Sequence, residues 1–194
     1  MQQLFHLIKY RLRLDAAMGW MLPEEAACLF RHAAGKERLA EIGVWEGATT
    51  RELRRGMSPT GTIFAIDPYP PGRLGISYQK IIAAREVARV PNGAVVWLRM
   101  TSAEAARHPA VRQAPFDFVF LDGDHTYEGT RTDWEAWSPL ITPGGIIALH
   151  DSFLPEGHDD AGSVRYSNEV VALDPRFEMV DAVVSLRVLR RKSG

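Results

Sequence analysis

The stretch R-L-A-E-I-G-V-W-E-G-A-T-T, from Arg38 to Thr50, decides the fold of this 194-residue chain. A short apolar run reaches an acid, Glu41, and a Gly-x-x-x-Gly turn made by Gly43 and Gly47 then precedes a helix start. A buried strand that leads through a glycine turn into a helix N-terminus is typical of the nucleotide-binding corner of an open α/β sheet. Strand–turn–helix units without a ligand share this spacing, so the turn alone leaves both interpretations open.

The residues within the turn indicate which nucleotide it could accept. Dinucleotide sites use G-x-G-x-x-G, because the second glycine lets bare backbone approach a pyrophosphate. Here Trp45 and Glu46 stand in that region, one bulky and one anionic, and both would obstruct a diphosphate. A nucleoside ligand without phosphates has no such requirement. Glu41 would attract a cationic group, such as the amino group of S-adenosylmethionine.

Composition is that of a single globular domain. Apolar residues make up 46% and charged residues 24%, which suits a chain with a sizeable core. The net charge of -1 gives no general reason to expect binding to nucleic acid or to an acidic membrane. The single cysteine, Cys28, excludes an internal disulfide framework and fits a reducing compartment. We therefore expect a cytoplasmic protein with a small-molecule substrate, no nucleic-acid partner and no stable membrane insertion.

The first 36 residues are predicted to form a helical extension. Helix is expected over about residues 1–34, with basic residues between the members of one apolar face. Pro23-Glu24-Glu25 resembles a first helical turn and Gly35 a helix stop. That face consists of Leu4, Ile8, Leu12 and Leu14. A flap packed on the domain, a lid over the substrate and a contact in a homo-oligomer are all compatible with this pattern.

Beyond the extension, strand-like and helix-like segments alternate, which predicts a parallel sheet covered on both faces. The strand candidates are Leu39–Val44, Thr62–Asp67, Ala94–Met100, Phe116–Asp122 and Gly145–His150. The helix candidates are Thr49–Arg55, Tyr78–Ala88, Ala103–Arg107 and Tyr127–Leu140. Two further strand-like runs, Phe177–Val184 and Leu186–Arg190, are separated only by Ser185 and must be antiparallel. The predicted fold is Rossmann-like α/β, with five parallel strands and a C-terminal antiparallel hairpin.

Ligands of open α/β sheets bind beyond the carboxyl ends of the strands, so residues at those ends are the site candidates. Asp67 ends the second strand, where an acid can bind both ribose hydroxyls or can cap the turn before Pro68. Thr101 and Ser102 follow the third strand, and they either cap the next helix or contact an adenine.

Titratable residues follow the fourth and fifth strands, which are expected to be neighbours. They are Asp122, Asp124, His125, His150 and Asp151. Burying so many such groups together costs free energy unless they bind a metal or transfer protons. Asp122, His150 and Asp151 could hold a metal with His125 beside it, and the alternative is a hydrogen-bonded turn network without metal. A second polar cluster, more typical of a solvated loop than of ligands, consists of His158, Asp159 and Asp160.

Several motifs together resemble class I S-adenosylmethionine-dependent methyltransferases, in particular the branch of macrocin- and mycinamicin-type sugar O-methyltransferases. They are E-I-G-V-W-E-G-A-T-T, A-I-D-P-Y, F-L-D-G-D-H-T-Y-E-G and W-S-P-L-I-T-P-G-G-I-I-A-L-H-D-S, within about residues 38–191. The resemblance implies that residues 37–194 form an S-adenosylmethionine-binding domain. It matches Asp122, His150 and Asp151 to a magnesium site and His125 to the general base.

The resemblance also matches Thr49 to a hydroxyl residue that holds the cofactor's carboxylate in catechol-type enzymes. Position 150 departs from the pattern, because the macrolide enzymes carry Glu where this chain has His. Magnesium prefers oxygen ligands, whereas imidazole suits manganese, iron or zinc better. The choice between magnesium and manganese therefore stays open.

We expect an S-adenosylmethionine-dependent, divalent-metal-assisted O-methyltransferase that acts on a small hydroxylated acceptor, such as a sugar or natural-product hydroxyl. His125 and Asp122 would carry catalysis. The cofactor would be held by Glu41, Gly43, Gly47, Thr49, Asp67 and Ser102. Two alternatives remain at this point, which are a nicotinamide-dependent oxidoreductase and a non-catalytic binding domain on the same fold.

Overall fold

A computed structural model describes residues 2–19, 21–72, 75–153 and 161–193. Its helices are α1 (Gln2–Arg11), α2 (Pro23–Ala33), α3 (Ala48–Gly56), α4 (Tyr78–Ala88), α5 (Ser102–Ala105), α6 (Pro109–Arg112), α7 (Tyr127–Trp137) and α8 (Gly162–Glu169). Its strands are β1 (Arg38–Ile42), β2 (Thr62–Ile66), β3 (Ala94–Leu98), β4 (Phe116–Leu121), β5 (Ile141–Leu149), β6 (Phe177–Val183) and β7 (Leu186–Arg191).

The strands form one seven-stranded sheet in the order β3-β2-β1-β4-β5-β7-β6. The first five strands pair in parallel, and β7 runs antiparallel to both β5 and β6. The predicted Rossmann-like fold with its C-terminal hairpin is confirmed. The strand order reverses between β1 and β4, and ligands of such sheets bind in the crevice at that reversal.

The sheet is covered on both faces, which explains the continuous apolar runs in its central strands. On one face, Trp134 and Trp137 of α7 pack with Phe116 and other strand residues. On the opposite face, Leu29 of α2 and Leu53 of α3 pack against the strands. With both faces covered, the polar side chains of the central strands collect beyond the carboxyl ends.

The structure corrects the prediction for the N-terminal extension. Helix is interrupted after Arg11, where Arg13 adopts a left-handed conformation with φ of 60°, whereas the predicted helix start at Pro23 is confirmed. The predicted apolar face was also wrong. Leu7 and Tyr10 are the buried residues of α1 and pack on Ile82 of α4. The residues of the predicted face are exposed, namely Leu4, Ile8, Leu12 and Leu14.

Other differences are local. The prediction missed the short helix α6 and the longer helix α8, and β5 begins at Ile141, four residues before the predicted strand. None of the described helices combines the length and the apolar character needed to cross a membrane.

Candidate active site

A cavity of about 1270 Å³ opens at the carboxyl ends of the parallel strands. Nine of the residues singled out in the sequence line this cavity, namely Gly43, Thr49, Asp67, Ser102, Asp122, Asp124, His125, His150 and Asp151. Cofactor and small-molecule sites commonly have 300–1,000 Å³, so this cavity has room for a nucleoside cofactor together with a second small molecule.

The glycine turn lies between tightly packed backbone segments. Gly43 has φ of +87°, and a Cβ there would lie 1.9 Å from the carbonyl oxygen of Asp122. Gly47 has φ of +77°, and a Cβ there would lie 2.9 Å from Cα of Ala83. Both positions therefore require glycine for backbone geometry. Gly43 lines the cavity, whereas Gly47 is not among its lining residues.

Glu41, a predicted cofactor ligand, lies behind the turn and is not among the residues that line the cavity. Thr50 donates a hydrogen bond to one oxygen of its buried carboxyl, and the other oxygen has no partner among the described residues. Burial raises the pKa of Glu41 well above its usual value. Glu41 therefore holds the first turn of α3 through Thr50, and its role as a cofactor ligand stays a prediction.

Asp67 both lines the cavity and holds the glycine turn. Its Oδ2 accepts hydrogen bonds from the backbone N–H groups of Val44 and Trp45 at 3.2 and 3.0 Å, and its Oδ1 accepts one from Tyr69 at 2.8 Å. Capping of the turn and contact with a ligand, weighed as alternatives from the sequence, are compatible in this geometry.

Glu46 does not obstruct the cavity as its position in the turn suggested. Its buried carboxylate faces the N-terminal extension, where it lies 2.9 Å from Nε2 of His6 and accepts a hydrogen bond from the backbone N–H of Met18 at 2.7 Å. This contact fixes the extension beside the glycine turn. The extension contributes Gln3, Met18, Gly19 and Met21 to the cavity lining.

The titratable residues beyond β4 and β5 meet as predicted, with His150 between two carboxylates. Its Nδ1 lies 3.2 Å from Oδ1 of Asp122 and 3.5 Å from Oδ2 of Asp151. His125 lies beside the same two carboxylates, with Nε2 3.8 Å from Asp122 and Nδ1 3.7 Å from Asp151. The side chain of His125 is 46% exposed, so it can exchange protons with solvent.

His150 itself is 8% exposed. Burial lowers its pKa, but the hydrogen bond and charge of Asp122, together with the charges of Asp151 and Glu25, outweigh burial and raise the pKa to about 9. The imidazole is therefore the positive centre of this group in the absence of another cation.

Glu25, on α2, is a site residue that the sequence analysis missed. It is 2% exposed, and its Oε2 lies 3.4 Å from Nε2 of His150. Its Oε1 accepts hydrogen bonds from the backbone N–H of Ser185 at 2.9 Å and from the Ser185 hydroxyl at 2.6 Å, and Oε2 accepts one from Leu22 at 3.0 Å. The sequence offered only P-E-E at a helix start, which is typical of any first turn.

A second group of potential metal ligands lies away from the cavity. Cys28 and His32 of α2 and Asp181 of β6 have ligand atoms within 4.8 Å of one another. Arg31 already pairs with Asp181 at 2.6 Å, and His32 lies 3.2 Å from the same oxygen. This group therefore has a complete network of its own. The predicted loop cluster His158, Asp159 and Asp160 lies outside the described residues.

Comparison with known proteins identifies the family. A family model described as a methyltransferase domain matches residues 40–152, which is more than half of the chain. The chain belongs to this methyltransferase family. The matched segment of the methyltransferase runs from β1 to just beyond β5 and contains every predicted site residue from Glu41 to Asp151. The match favours a methyltransferase over the nicotinamide-dependent oxidoreductase, and Glu25 lies outside it.

Two relatives match short stretches of the chain. The methyltransferase is 43% identical to demethylmacrocin O-methyltransferase of Streptomyces fradiae over 42 residues, which are 22% of this chain and 11% of the relative. The second relative is an uncharacterized protein of Sinorhizobium fredii. The two chains are 30% identical over 78 residues, which are 40% of this chain and 8% of the relative. The matched stretches thus span about a tenth of the length of these relatives.

Solved structures share the fold of the methyltransferase along nearly its whole length. An O-methyltransferase from Bacillus cereus in complex with S-adenosylhomocysteine has a TM-score of 0.72 at 18% identity, covering 99% of this chain and 91% of that one. The O-methyltransferase TomG from Streptomyces achromogenes, in complex with S-adenosylmethionine, has a TM-score of 0.65 at 19% identity, covering 100% and 91%. The predicted resemblance to class I methyltransferases is confirmed.

The position of Glu25 leads to a stability prediction. Glu25→Ala removes the acceptor for Ser185 and Leu22 and leaves His150 without its buried partner, so we expect a loss of about 3–5 kcal/mol in the free energy of unfolding. Glu24→Ala changes the exposed neighbour on the same helix and should cost less than about 0.5 kcal/mol. Urea denaturation of both variants measures the difference. Equal stability of the two variants would show that the buried contacts of Glu25 contribute nothing net.

Proposed function

We propose that this protein is an S-adenosylmethionine-dependent O-methyltransferase, assisted by a divalent metal, that acts on a small hydroxylated molecule. The observation that carries the proposal is one cavity lined by both sets of residues. Gly43 and Asp67 line it, and so do Asp122 and Asp151, with His125 between these two carboxylates. A cofactor and an acceptor in one cavity can react without leaving it.

The residues for S-adenosylmethionine are those that line the cavity beside the turn, namely Gly43, Thr49, Asp67 and Ser102. Thr49 lies in the first turn of α3, where a hydroxyl and free backbone N–H groups suit a carboxylate. Asp67 would bind the ribose hydroxyls. Glu41 and Gly47 would contribute indirectly, by holding α3 and the turn in position.

The donor set of Asp122, His150 and Asp151 fits a divalent metal. Ligand atoms on adjacent corners of an octahedral ion with bonds near 2.1 Å lie about 3 Å apart. The distances of 3.2 and 3.5 Å from His150 Nδ1 to the two carboxylates are close to that value. Both carboxylates are partly exposed, so modest rotations can bring them together. Two oxygens and one imidazole suit manganese at least as well as magnesium.

The reaction needs an oxygen nucleophile, because methyl transfer is an in-line displacement at carbon. A metal bound at these residues would lower the pKa of the acceptor hydroxyl and fix its position. His125 would accept the hydroxyl proton as the acceptor oxygen forms its bond to the methyl carbon, and the bond from that carbon to the sulfur of S-adenosylmethionine would break with its electron pair kept by sulfur. Imidazole suits this step near neutral pH. The exposed His125 ring then passes the proton to solvent.

The N-terminal extension, residues 1–36, is the proposed cover of the cavity. Met18 and Met21 line the cavity, and Glu46 anchors the segment that carries Met18. Methionine side chains adapt to irregular apolar shapes, which suits a small organic acceptor with an apolar body. A sugar or natural-product hydroxyl and a cytoplasmic location complete the proposal.

The cofactor assignment predicts the behaviour of Asp67. S-adenosylhomocysteine should bind the wild-type protein, and Asp67→Ala should weaken binding at least tenfold, because hydrogen bonds to a charged group are worth about 1.5–3 kcal/mol. Calorimetric titration measures the affinity. Glu178→Ala, on exposed β6 surface, serves as the control and should bind like wild type. Unchanged affinity in Asp67→Ala would exclude the ribose contact.

The metal assignment predicts a separation between binding and activity. Exhaustive chelation should abolish methyl transfer. The affinity for S-adenosylhomocysteine should change little, because none of the proposed cofactor residues is a proposed metal ligand. Manganese should restore activity at least as well as magnesium, given His150. A methyl-transfer assay over model phenols and sugars, paired with titration of S-adenosylhomocysteine, tests both parts. Full activity in the chelated protein would contradict metal assistance.

The proton-acceptor role predicts that His125→Ala lowers kcat by roughly 10²–10⁴-fold. Cofactor affinity and melting temperature should change little, because the His125 side chain is half exposed. Asp124→Asn is the matched comparison, since Asp124 lies next in sequence and its carboxylate accepts a hydrogen bond from the backbone N–H of Thr126 at 2.9 Å. A larger loss of kcat in Asp124→Asn than in His125→Ala would transfer the base role to Asp124.

A further inference from the structure

The outward side of α1 is apolar, although none of the described residues covers it. Leu7 and Tyr10 pack inward on Ile82, and His6 contacts Glu46, so the helix is fixed with its other side toward solvent. Large apolar side chains that are 39% to 73% exposed lie on that side and just beyond the helix, and they are Leu4, Phe5, Ile8, Leu12 and Leu14. Apolar residues gathered in this way at the surface mark an interaction site. These five residues form the apolar patch.

A hydrogen-bonded turn at the end of α1 fixes the last two residues of the apolar patch. The backbone N–H of Arg13 donates to the carbonyl of Tyr10 at 3.1 Å, and that of Leu14 donates to the carbonyl of Lys9 at 2.9 Å. Together with the left-handed conformation of Arg13, these two bonds make a Schellman motif. The motif folds the chain back on the last helical turn, so Leu12 and Leu14 stay next to α1.

Basic side chains border the apolar patch. Lys9 lies over the ring of Phe5 at 5.2 Å. An open pocket of about 290 Å³, the arginine pocket, is lined by Tyr10, Arg11, Arg13, Arg85 and Arg89. Its first three arginines, Arg11, Arg13 and Arg85, form no ion pair with any described residue, and the fourth pairs with a glutamate of its own helix. Guanidinium groups gathered in this way repel one another, so the pocket favours an anion such as a phosphate group.

The charges decide which partner fits this surface. A second copy docked about a two-fold axis would bring the same patch against itself, and the basic residues of both copies would then be crowded together. Asp15, the nearest acid in sequence, is already bound by His6 at 2.9 Å and cannot relieve that repulsion. An anionic bilayer complements both features, because its phosphates attract guanidinium groups while its acyl boundary accepts apolar side chains.

We propose that the apolar patch and the arginine pocket dock this protein on membrane surfaces that contain anionic phospholipids. The contact is peripheral, since α1 has ten residues and would lie in the plane of the interface. Attraction of this kind depends on charges within about 10 Å of the surface. The net charge of -1 for the whole chain therefore does not oppose it.

Sedimentation with lipid vesicles tests the proposal. The full chain is mixed with vesicles of phosphatidylcholine alone, or of equal parts of phosphatidylcholine and phosphatidylglycerol. Wild type should partition onto the anionic vesicles at least about tenfold more strongly than onto the neutral ones, because several basic residues lie at the contact. Added salt should reduce this preference, since it screens exposed charges.

Variants with matched controls separate the two features. Leu14→Ser should lower partitioning onto anionic vesicles at least about fivefold, because an apolar side chain no longer enters the lipid. Leu173→Ser replaces a leucine with the same 73% exposure outside the patch and should stay within about twofold of wild type. Arg11→Glu should lower partitioning at least about tenfold by reversing a charge at the contact. The same reversal at exposed Arg112, on α6, is its control.

Every outcome bears on the docking surface alone, because methyl transfer is not measured and the proposed function stands or falls separately. Equal partitioning onto the two kinds of vesicle, or none onto either, overturns the proposal. Equal losses in Leu14→Ser and Leu173→Ser do the same. Self-association that Leu14→Ser abolishes, found by analytical ultracentrifugation without vesicle binding, assigns the patch to a second copy instead. Circular dichroism checks the fold, and Phe5→Ser repeats the apolar test should Leu14→Ser be unstable.

Discussion

The contact between Glu25 and His150 is the interaction on which the arrangement of the site depends. Glu25 belongs to α2, its hydrogen-bond donor Ser185 joins β6 and β7, and His150 follows β5. One buried carboxylate thus links the N-terminal extension, the C-terminal hairpin and the central sheet. Breaking a buried charged pair leaves an uncompensated charge. The contacts of Glu25 therefore join the three elements in addition to their apolar packing.

The same contact orients the imidazole. With Nε2 turned toward Glu25, Nδ1 of His150 faces Asp122 and Asp151. Histidines that bind metals commonly use their second nitrogen in this way, because a fixed partner sets the tautomer and the ring direction. A glutamate at position 150 would need no such partner. The histidine at position 150 therefore needs a buried partner, and Glu25 is that partner.

The sequence was sufficient for features that depend on neighbours along the chain. The strand ends, the glycine turn and the meeting of Asp122, His150 and Asp151 followed from parallel strands whose carboxyl ends share one edge. The hairpin followed from a connection too short for any other geometry. The predicted face of α1 was wrong for two reasons. Leu12 and Leu14 follow the end of the helix, where a helical pattern carries no information, and within the helix Leu7 and Tyr10 are the buried residues rather than Leu4 and Ile8.

Residues recognised only in the structure owe their role to distant contacts. Glu25 meets His150 across 125 positions and Ser185 across 160 positions of sequence. No local period or motif marks such a pair. Asp133 of α7 is buried and lines the cavity, whereas a helical pattern predicts α7 equally well whether this carboxyl faces solvent or a cavity. Glu41 is buried and accepts a hydrogen bond from Thr50, a contact that its motif position did not predict.

Several strained backbone positions lie just beyond the carboxyl ends of the strands. Trp45, Tyr69 and Asp151 adopt left-handed conformations with φ of 52°, 43° and 47°, and they follow β1, β2 and β5. Each such residue costs on the order of 1–3 kcal/mol unless the surroundings compensate. Sharp turns at these points let short loops return to helices while Asp67, His150 and Asp151 remain at the cavity edge. The hydrogen bonds of Asp67 to Trp45 and Tyr69 offset part of this cost, so the proposed ribose ligand also stabilises the turns that shape its site.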